Sequence, residues 1–159
     1  SQRRINVAAN INPIFTLIPN VGRARITTTY AQVKSDGTSA GSGADFMVKL
    51  FTAGTEGSFI DTIRFFSVAS VANTTGVATT LRAYLSTVST PGATTTADTF
   101  LIGEISVPAI ASSHSTNATN YYDMVLQKAI PTGTYIHISQ HVAQTTSQAW
   151  NAIAFGGNY

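Results

Sequence analysis

The sequence predicts an all-β protein: an antiparallel β-sandwich, jelly-roll-like, with an irregular N-terminal arm. Three observations predict this class. Apolar and polar residues alternate with a period of two in many short segments, and no long segment carries an apolar stripe at the 3.6-residue helical period. Turns rich in glycine and proline separate these segments at roughly even spacing. About eight strands arranged in this way are typical of a sandwich or a jelly roll.

The predicted strands follow one another along the chain. Strand-forming residues fill segment 24–34. Alternation then marks the segments 46–51, 63–66, 81–86, 101–107, 122–126, 136–142 and 150–155. The polar stretches 86–98 and 112–120 predict exposed loops. Between two strands, Gly54 and Gly57 supply the backbone freedom that a tight turn requires.

The length of 159 residues fits one domain that can bury a core without disulfides. We assign residues 23–159 to a single β-sandwich domain and residues 1–22 to an N-terminal arm. In the arm, asparagines and prolines interrupt the apolar residues. Such a segment is expected to lie extended across its own sandwich or a neighbour's. The alternative is an ordinary first strand with a bend.

The composition favours a protein that assembles with others. Charged residues make up only 10% of the chain, against about a quarter in ordinary domains. A weakly charged surface loses little hydration energy when it is pressed against another protein. A threonine-rich extracellular domain would have the same composition, so this alternative stays open.

The chain has no cysteine, which rules out disulfides and cysteine metal sites. No apolar run approaches the ~20 residues of a membrane helix, so no membrane partner is predicted. Residues 1–7 lack the apolar core of a signal peptide, which predicts synthesis in the cytoplasm; the alternative is that a leader was already removed.

The net charge of +2 hides an uneven distribution. Five basic residues precede the first acid, Asp36; they are Arg3, Arg4, Arg23, Arg25 and Lys34. A basic segment can face nucleic acid, an acidic protein surface or solvent. This one is spread over more than thirty residues and broken by apolar side chains, so nucleic acid is not predicted as a partner.

No catalytic, cofactor-binding or metal site is predicted, and we do not expect an enzyme. His137 and His141 lie four residues apart on a strand, roughly 13 Å, which is too far to share one metal ion. Together with Tyr135 and Ser139 they are expected on the polar face of a sheet edge or an intersubunit surface. Ser42 lies between two glycines but lacks the strand-to-helix context of a nucleophile.

Six aromatic residues could stack on sugars or anchor a partner: Tyr84, Tyr121, Tyr122, Tyr135, Trp150 and Tyr159. Recognition of a host glycan would use four of them, Tyr84, Tyr121, Tyr122 or Trp150. The alternative is that they belong to the sandwich core and its rim.

Segment 50–64, LFTAGTEGSFIDTIR, resembles a "TAG-x-x-GS-x-I-x-x-IR" motif of small tailed-bacteriophage virion proteins. Three later segments are similar to that family in the same order: 76–85, 101–109 and 150–159. The chain departs from the pattern at Asn158, where the family has an acid, and in an enlarged 87–98 loop. The resemblance implies a virion component that decorates the head, made in the host cytoplasm.

We therefore predict a non-enzymatic decoration or cement protein on the outer surface of the phage head. Its predicted partners are the major capsid protein and further copies of itself, in a trimer. The predicted contact residues are the apolar Ile11, Ile14, Phe15, Leu17 and Ile18 and the basic Arg3, Arg4, Arg23 and Arg25. The main alternative is a tail-fibre or receptor-binding domain that recognises a host glycan. A third is a hydrolase of cell-envelope polysaccharide, which needs a pair of acids in a cleft.

Overall fold

A computed structural model describes residues 16–27, 31–41, 46–72, 74–112, 115 and 118–159. These residues form eight long strands and two short ones. The long strands are β1 (Ile18–Ile26), β2 (Val48–Thr52), β3 (Ser58–Ala69), β5 (Thr79–Ser86), β6 (Thr99–Val107), β8 (Tyr121–Ile130), β9 (Tyr135–Gln140) and β10 (Gln148–Asn158). The short strands β4 (Thr74–Thr75) and β7 (Ala111–Ser112) pair with each other. A 3-10 turn covers Pro91–Ala93.

The long strands form two antiparallel four-stranded sheets. The first sheet has the order β1-β10-β3-β8, and the second has the order β2-β9-β5-β6. Of the seven connections between successive long strands, only that between β5 and β6 stays within one sheet; every other connection crosses to the opposite sheet. Two four-stranded sheets linked in this way make a jelly roll. The structure therefore confirms the predicted all-β, jelly-roll-like sandwich.

The main core lies between the two sheets. Fully buried residues of the first sheet include Ile63, Phe65 and Trp150, and those of the second include Leu81 and Ile138. Because side chains alternate along each strand, the same strands send their intervening residues to two outer faces. These two outer faces differ, and they are where function has to be sought.

The turn at Gly54 and Gly57 connects two strands that lie in different sheets, so it is not a hairpin. Gly57 has a φ of +90°, which favours glycine, and its amide donates to the Gly54 carbonyl at 3.0 Å. The Ser58 hydroxyl donates to the Asn158 side-chain oxygen at 2.6 Å, and the amide of Asn20 donates to the same oxygen at 2.9 Å. Asn158 thus joins the turn to β1.

The first strand begins inside the predicted arm. Residues 18–22, which the sequence analysis placed in the arm, form the first half of β1 and pair with β10. A Cβ at Gly22 would lie only 2.3 Å from the Leu50 carbonyl oxygen, so β1 packs directly against β2 at this side of the sandwich. Five predicted contact residues lie outside the described residues: Arg3, Arg4, Ile11, Ile14 and Phe15.

Candidate interaction surface

The outer face of the second sheet is covered by other parts of the chain, and we call it the covered face. Tyr84 on β5 packs with Val33 and Met47 in a second small hydrophobic cluster outside the main core. The Tyr84 hydroxyl donates to the Lys34 carbonyl at 2.6 Å and lies 3.1 Å from the Ser139 hydroxyl. Burial raises the pKa of Tyr84, which stays a neutral donor. Segment 31–41 is thereby held over β5 and β9.

Arg82 fastens the same segment. The residue is 9% exposed, and its guanidinium donates to the Val33 carbonyl at 3.0 Å, to the Glu104 carboxylate at 3.1 Å and to His141 Nδ1 at 2.9 Å. Because a guanidinium can only donate, Nδ1 of His141 is the acceptor and the ring proton of the neutral form lies on Nε2. The contact with Glu104 is an ion pair whose carboxylate side is half-exposed.

His137 fastens a second covering segment, the loop between β5 and β6. Its Nε2 lies 2.8 Å from the Val88 carbonyl oxygen, so Nε2 carries the proton and donates. The ring is fully buried and stacks on Tyr135 at a centroid distance of 6.4 Å. Burial lowers the pKa of His137, and the nearby Lys49 ammonium lowers it further.

The expectation of a sheet edge or an intersubunit surface is wrong for His137 and Ser139, whereas Tyr135 is partly exposed and His141 is exposed. β9 lies inside the second sheet, between β2 and β5. His137 and Ser139 are 0% exposed, so neither can reach a substrate or a partner. Across the described ranges, no group of three or more histidine, aspartate or glutamate side chains could hold a metal ion.

The outer face of the first sheet is exposed, and we call it the open face. Its side chains form three rows that cross the strands in the order β1, β10, β3, β8. The first row is Val21, Phe155, Thr62 and Val125; the second is Arg23, Ile153, Arg64 and Asp123; the third is Arg25, Asn151, Phe66 and Tyr121. In the first row Val21 is 55% exposed, Phe155 41% and Val125 62%.

The charges on the open face are divided between its two sides. On the β3–β8 side, Arg64 makes two hydrogen bonds with the Asp123 carboxylate, at 2.7 and 2.8 Å, and its guanidinium lies 4.2 Å from the centre of the Tyr121 ring. The hydrogen bonds from Arg64 lower the pKa of Asp123, and the same contact raises the pKa of Arg64.

On the opposite side, Arg23 and Arg25 project from the edge strand β1. Both are exposed, and no carboxylate among the described residues pairs with either of them. A shallow hollow lies between β1 and β10, with Arg23, Arg25, Asn151 and Ile153 among the residues that line it. The open face therefore combines an apolar row with two unneutralised positive charges.

The structure brings only part of the predicted contact set together. Arg23 and Arg25 lie on the open face, whereas Leu17 and Ile18, 71% and 61% exposed, lie at the start of β1. Sequence reasoning missed the apolar row of Val21, Phe155 and Val125. One pattern in the sequence could have predicted it. In segment 152–155 of the last strand every residue is apolar, so both faces of that strand carry apolar side chains.

The four aromatic residues considered as sugar platforms are mostly internal. Tyr84 and Trp150 are buried, and Tyr122 is partly buried and makes an edge contact with Trp150 at 6.1 Å. Tyr121 is 52% exposed, and the Arg64 guanidinium lies over its ring. These positions agree with the core-and-rim alternative for three of the four residues.

No family model, no curated protein and no solved structure matches this chain. Within the described part of the chain, no helix has the length and apolarity needed to span a membrane.

Proposed function

We propose that this chain is a structural protein of a bacteriophage virion. It binds the major capsid protein on the outer surface of the head as a homo-oligomer, a trimer, and holds neighbouring capsomers together. The observation that supports this proposal best is the open face, where large apolar side chains of three of its four strands, β1, β10 and β8, stay exposed. A contiguous apolar surface of this kind is a common mark of a protein–protein interface.

The open face would act by burying apolar area that both partners otherwise expose to water. The four strands are 9 to 12 residues long and together span roughly 670 Å². A stable interface buries about 800 Å² on each partner, so one face alone falls short. Several linked copies would make up the difference, because the second and third contacts of an oligomer form at high effective concentration. This shortfall supports an oligomer.

The fold is compatible with this role but does not require it. Jelly rolls occur in viral capsid proteins and also in lectins and cupins. Fold alone therefore does not decide function, and the argument depends on the open face. The low proportion of charged residues, 10%, supports a surface that becomes buried on assembly.

The alternative of a glycan-binding fibre domain has weaker support. Sugar recognition by stacking needs exposed aromatic rings. Of the four candidates, only Tyr121 is largely exposed, and the neighbouring Arg64 already occupies one face of its ring. Aliphatic and basic side chains dominate the rest of the open face, and these suit a protein partner.

The test is to locate the chain in the purified phage particle that carries it. Quantitative mass spectrometry should give a copy number of the same order as that of the major capsid protein, and electron cryo-microscopy should place the density on the head. A few copies at the tail would favour the fibre alternative. Absence of the chain from the particle would refute a structural role in the virion.

A further inference from the structure

The two arginines of β1 differ from the other arginines of the described chain in having no acidic neighbour. Arg64 pairs with Asp123, and Arg82 pairs with Glu104. Arg23 and Arg25 have no such partner, although they lie on the same face as the apolar row. A partner that buries this row also removes water from the two guanidinium groups. That loss of hydration is costly unless the partner supplies negative charge.

The hollow between β1 and β10 indicates where that charge would lie. Both arginines line it, the Asn151 amide adds a further donor, and Ile153 provides an apolar wall. Hydrogen-bond donors beside an apolar side chain match a glutamate or aspartate side chain, which has a short apolar stem and a carboxylate at its end. Two arginines side by side can donate several hydrogen bonds to one such group.

We propose that the open face docks on an acidic protein surface, with a partner glutamate or aspartate seated in the hollow between Arg23 and Arg25. This inference rests on the proposed function and names the chemistry of the capsid surface that the face would contact. The apolar row of Val21, Phe155 and Val125 would pack beside the carboxylate. The salt-dependent attraction would orient the protein, and the apolar row would supply most of the binding energy.

Nucleic acid fits the open face less well. Protein–nucleic acid interfaces are strongly positive and polar. Here Asp123 and Asp61 place two carboxylates on the same face as the three arginines. Asp61 projects outward because it lies in a bulge of β3 between the buried Ile60 and Ile63. Phosphates would be repelled at that side, and the apolar row would gain no partner.

A second copy of the chain in the same orientation also fits less well. A face-to-face contact between two open faces has to bury the apolar rows of both copies, and it brings two further unneutralised arginines into the interface. The contact would supply no new carboxylate beyond Asp61 and Asp123, of which Asp123 is already paired with Arg64. A surface of opposite charge is therefore the better match.

Binding to purified phage heads that lack the chain tests this inference. Replacing both arginines, Arg23→Glu with Arg25→Glu, should weaken binding about tenfold or more. The matched control is Lys34→Glu with Lys49→Glu, which changes the net charge equally on the other side of the sandwich and should bind like the original chain. Equal loss in both variants, or no loss in the arginine variant, would overturn the inference. Release by nuclease would do the same.

A second measurement needs no phage particle. An NMR titration with the peptide acetyl-Leu-Glu-Leu-amide should shift the side-chain signals of Arg23, Arg25 and Asn151, and the matched peptide with glutamine should not. Equal shifts with both peptides, or none with either, would overturn the carboxylate site. Heads that fail to bind the original chain, with a positive titration, would instead refute the proposed function alone.

Discussion

The two outer faces of this sandwich show opposite relations between polarity and burial. On the covered face, the polar residues Arg82, His137 and Ser139 are nearly or fully buried. On the open face, the apolar residues Val21 and Val125 are more than half exposed. Both faces belong to antiparallel sheets of four strands. The comparison teaches that hydropathy alone does not tell which face of a sheet is covered.

Hydrogen bonding explains the covered face. Arg82, Tyr84 and His137 each donate to a backbone carbonyl of a covering segment, at Val33, Lys34 and Val88 respectively. Buried polar groups need such partners, and here the partners are also the means by which the segments are held. The open face offers no comparable set of donors to the described chain, apart from the arginines of β1. It is a surface that another molecule can cover.

The largest difference between the faces should appear when a tyrosine is truncated on each. Tyr84→Ala removes a fully buried ring and its hydrogen bond, and we expect the free energy of unfolding to fall by about 3–5 kcal/mol. Tyr121→Ala removes a ring that is 52% exposed, and the loss should be about 1 kcal/mol or less. Urea denaturation followed by tryptophan fluorescence measures both. Similar losses at the two positions would contradict the assignment of a covered and an open face.

The second test replaces one arginine on each face. Arg82→Met leaves the Val33 carbonyl without its donor, and we expect a loss of about 1–3 kcal/mol in stability, with faster hydrogen exchange in segment 31–41. Arg23→Met should leave the unfolding midpoint unchanged, because Arg23 has no ion-pair partner to lose among the described residues. If Arg82→Met destabilises the protein without faster exchange in that segment, Arg82 does not fasten it.

A smaller change in stability is expected when the pH is lowered. Because the pKa of folded His137 lies below its value of 6.5 in the unfolded chain, the unfolded state takes up a proton first as pH falls. The contribution to stability is complete above about pH 6.5 and is lost as pH falls through the lowered folded pKa. The urea midpoint should therefore be lower at pH 5 than at pH 7.5.

The control for this prediction is His137→Gln, whose amide can still donate to the Val88 carbonyl but does not titrate. This variant should lose a clear part of the decrease between pH 7.5 and pH 5. An unchanged decrease would show that His137 is not the group responsible.

The smallest effect is expected on the open face. Val125→Thr keeps the β-branched shape that suits a strand and changes a side chain that is 62% exposed, so stability should stay within about 0.5 kcal/mol. The same substitution should weaken binding to phage heads, because it removes apolar area from the first row. Unaltered binding would exclude Val125 from the contact.

The order of the strands along the chain was predictable, because alternation and turn residues are local signals. Gly57, with its positive φ, ends the turn that the sequence predicts, and the loop 86–98 separates β5 from β6 as expected. For the candidate site, Arg23 and Arg25 were predicted as contact residues and lie on the open face.

The start of β1 and the fate of the histidines were not predictable in the same way. Segment 18–22 contains a proline, an asparagine and a glycine, and this composition predicts an irregular arm. In the structure the segment is a strand, because it pairs with β10. His137 and Ser139 alternate with apolar residues, and this pattern predicts that their side chains face solvent. They are buried because segments distant in sequence fold over them.

The sequence by itself determined that this protein is a β-sandwich, since a period of two and regularly spaced turns leave few other ways to bury the apolar positions. Only the tertiary structure decided which strands are neighbours and which outer face stays open. The physical reason is that alternation divides a strand into two faces without saying what lies against either. Contacts such as Arg82 with Val33 and Tyr84 with Lys34 make that choice across about fifty residues of chain.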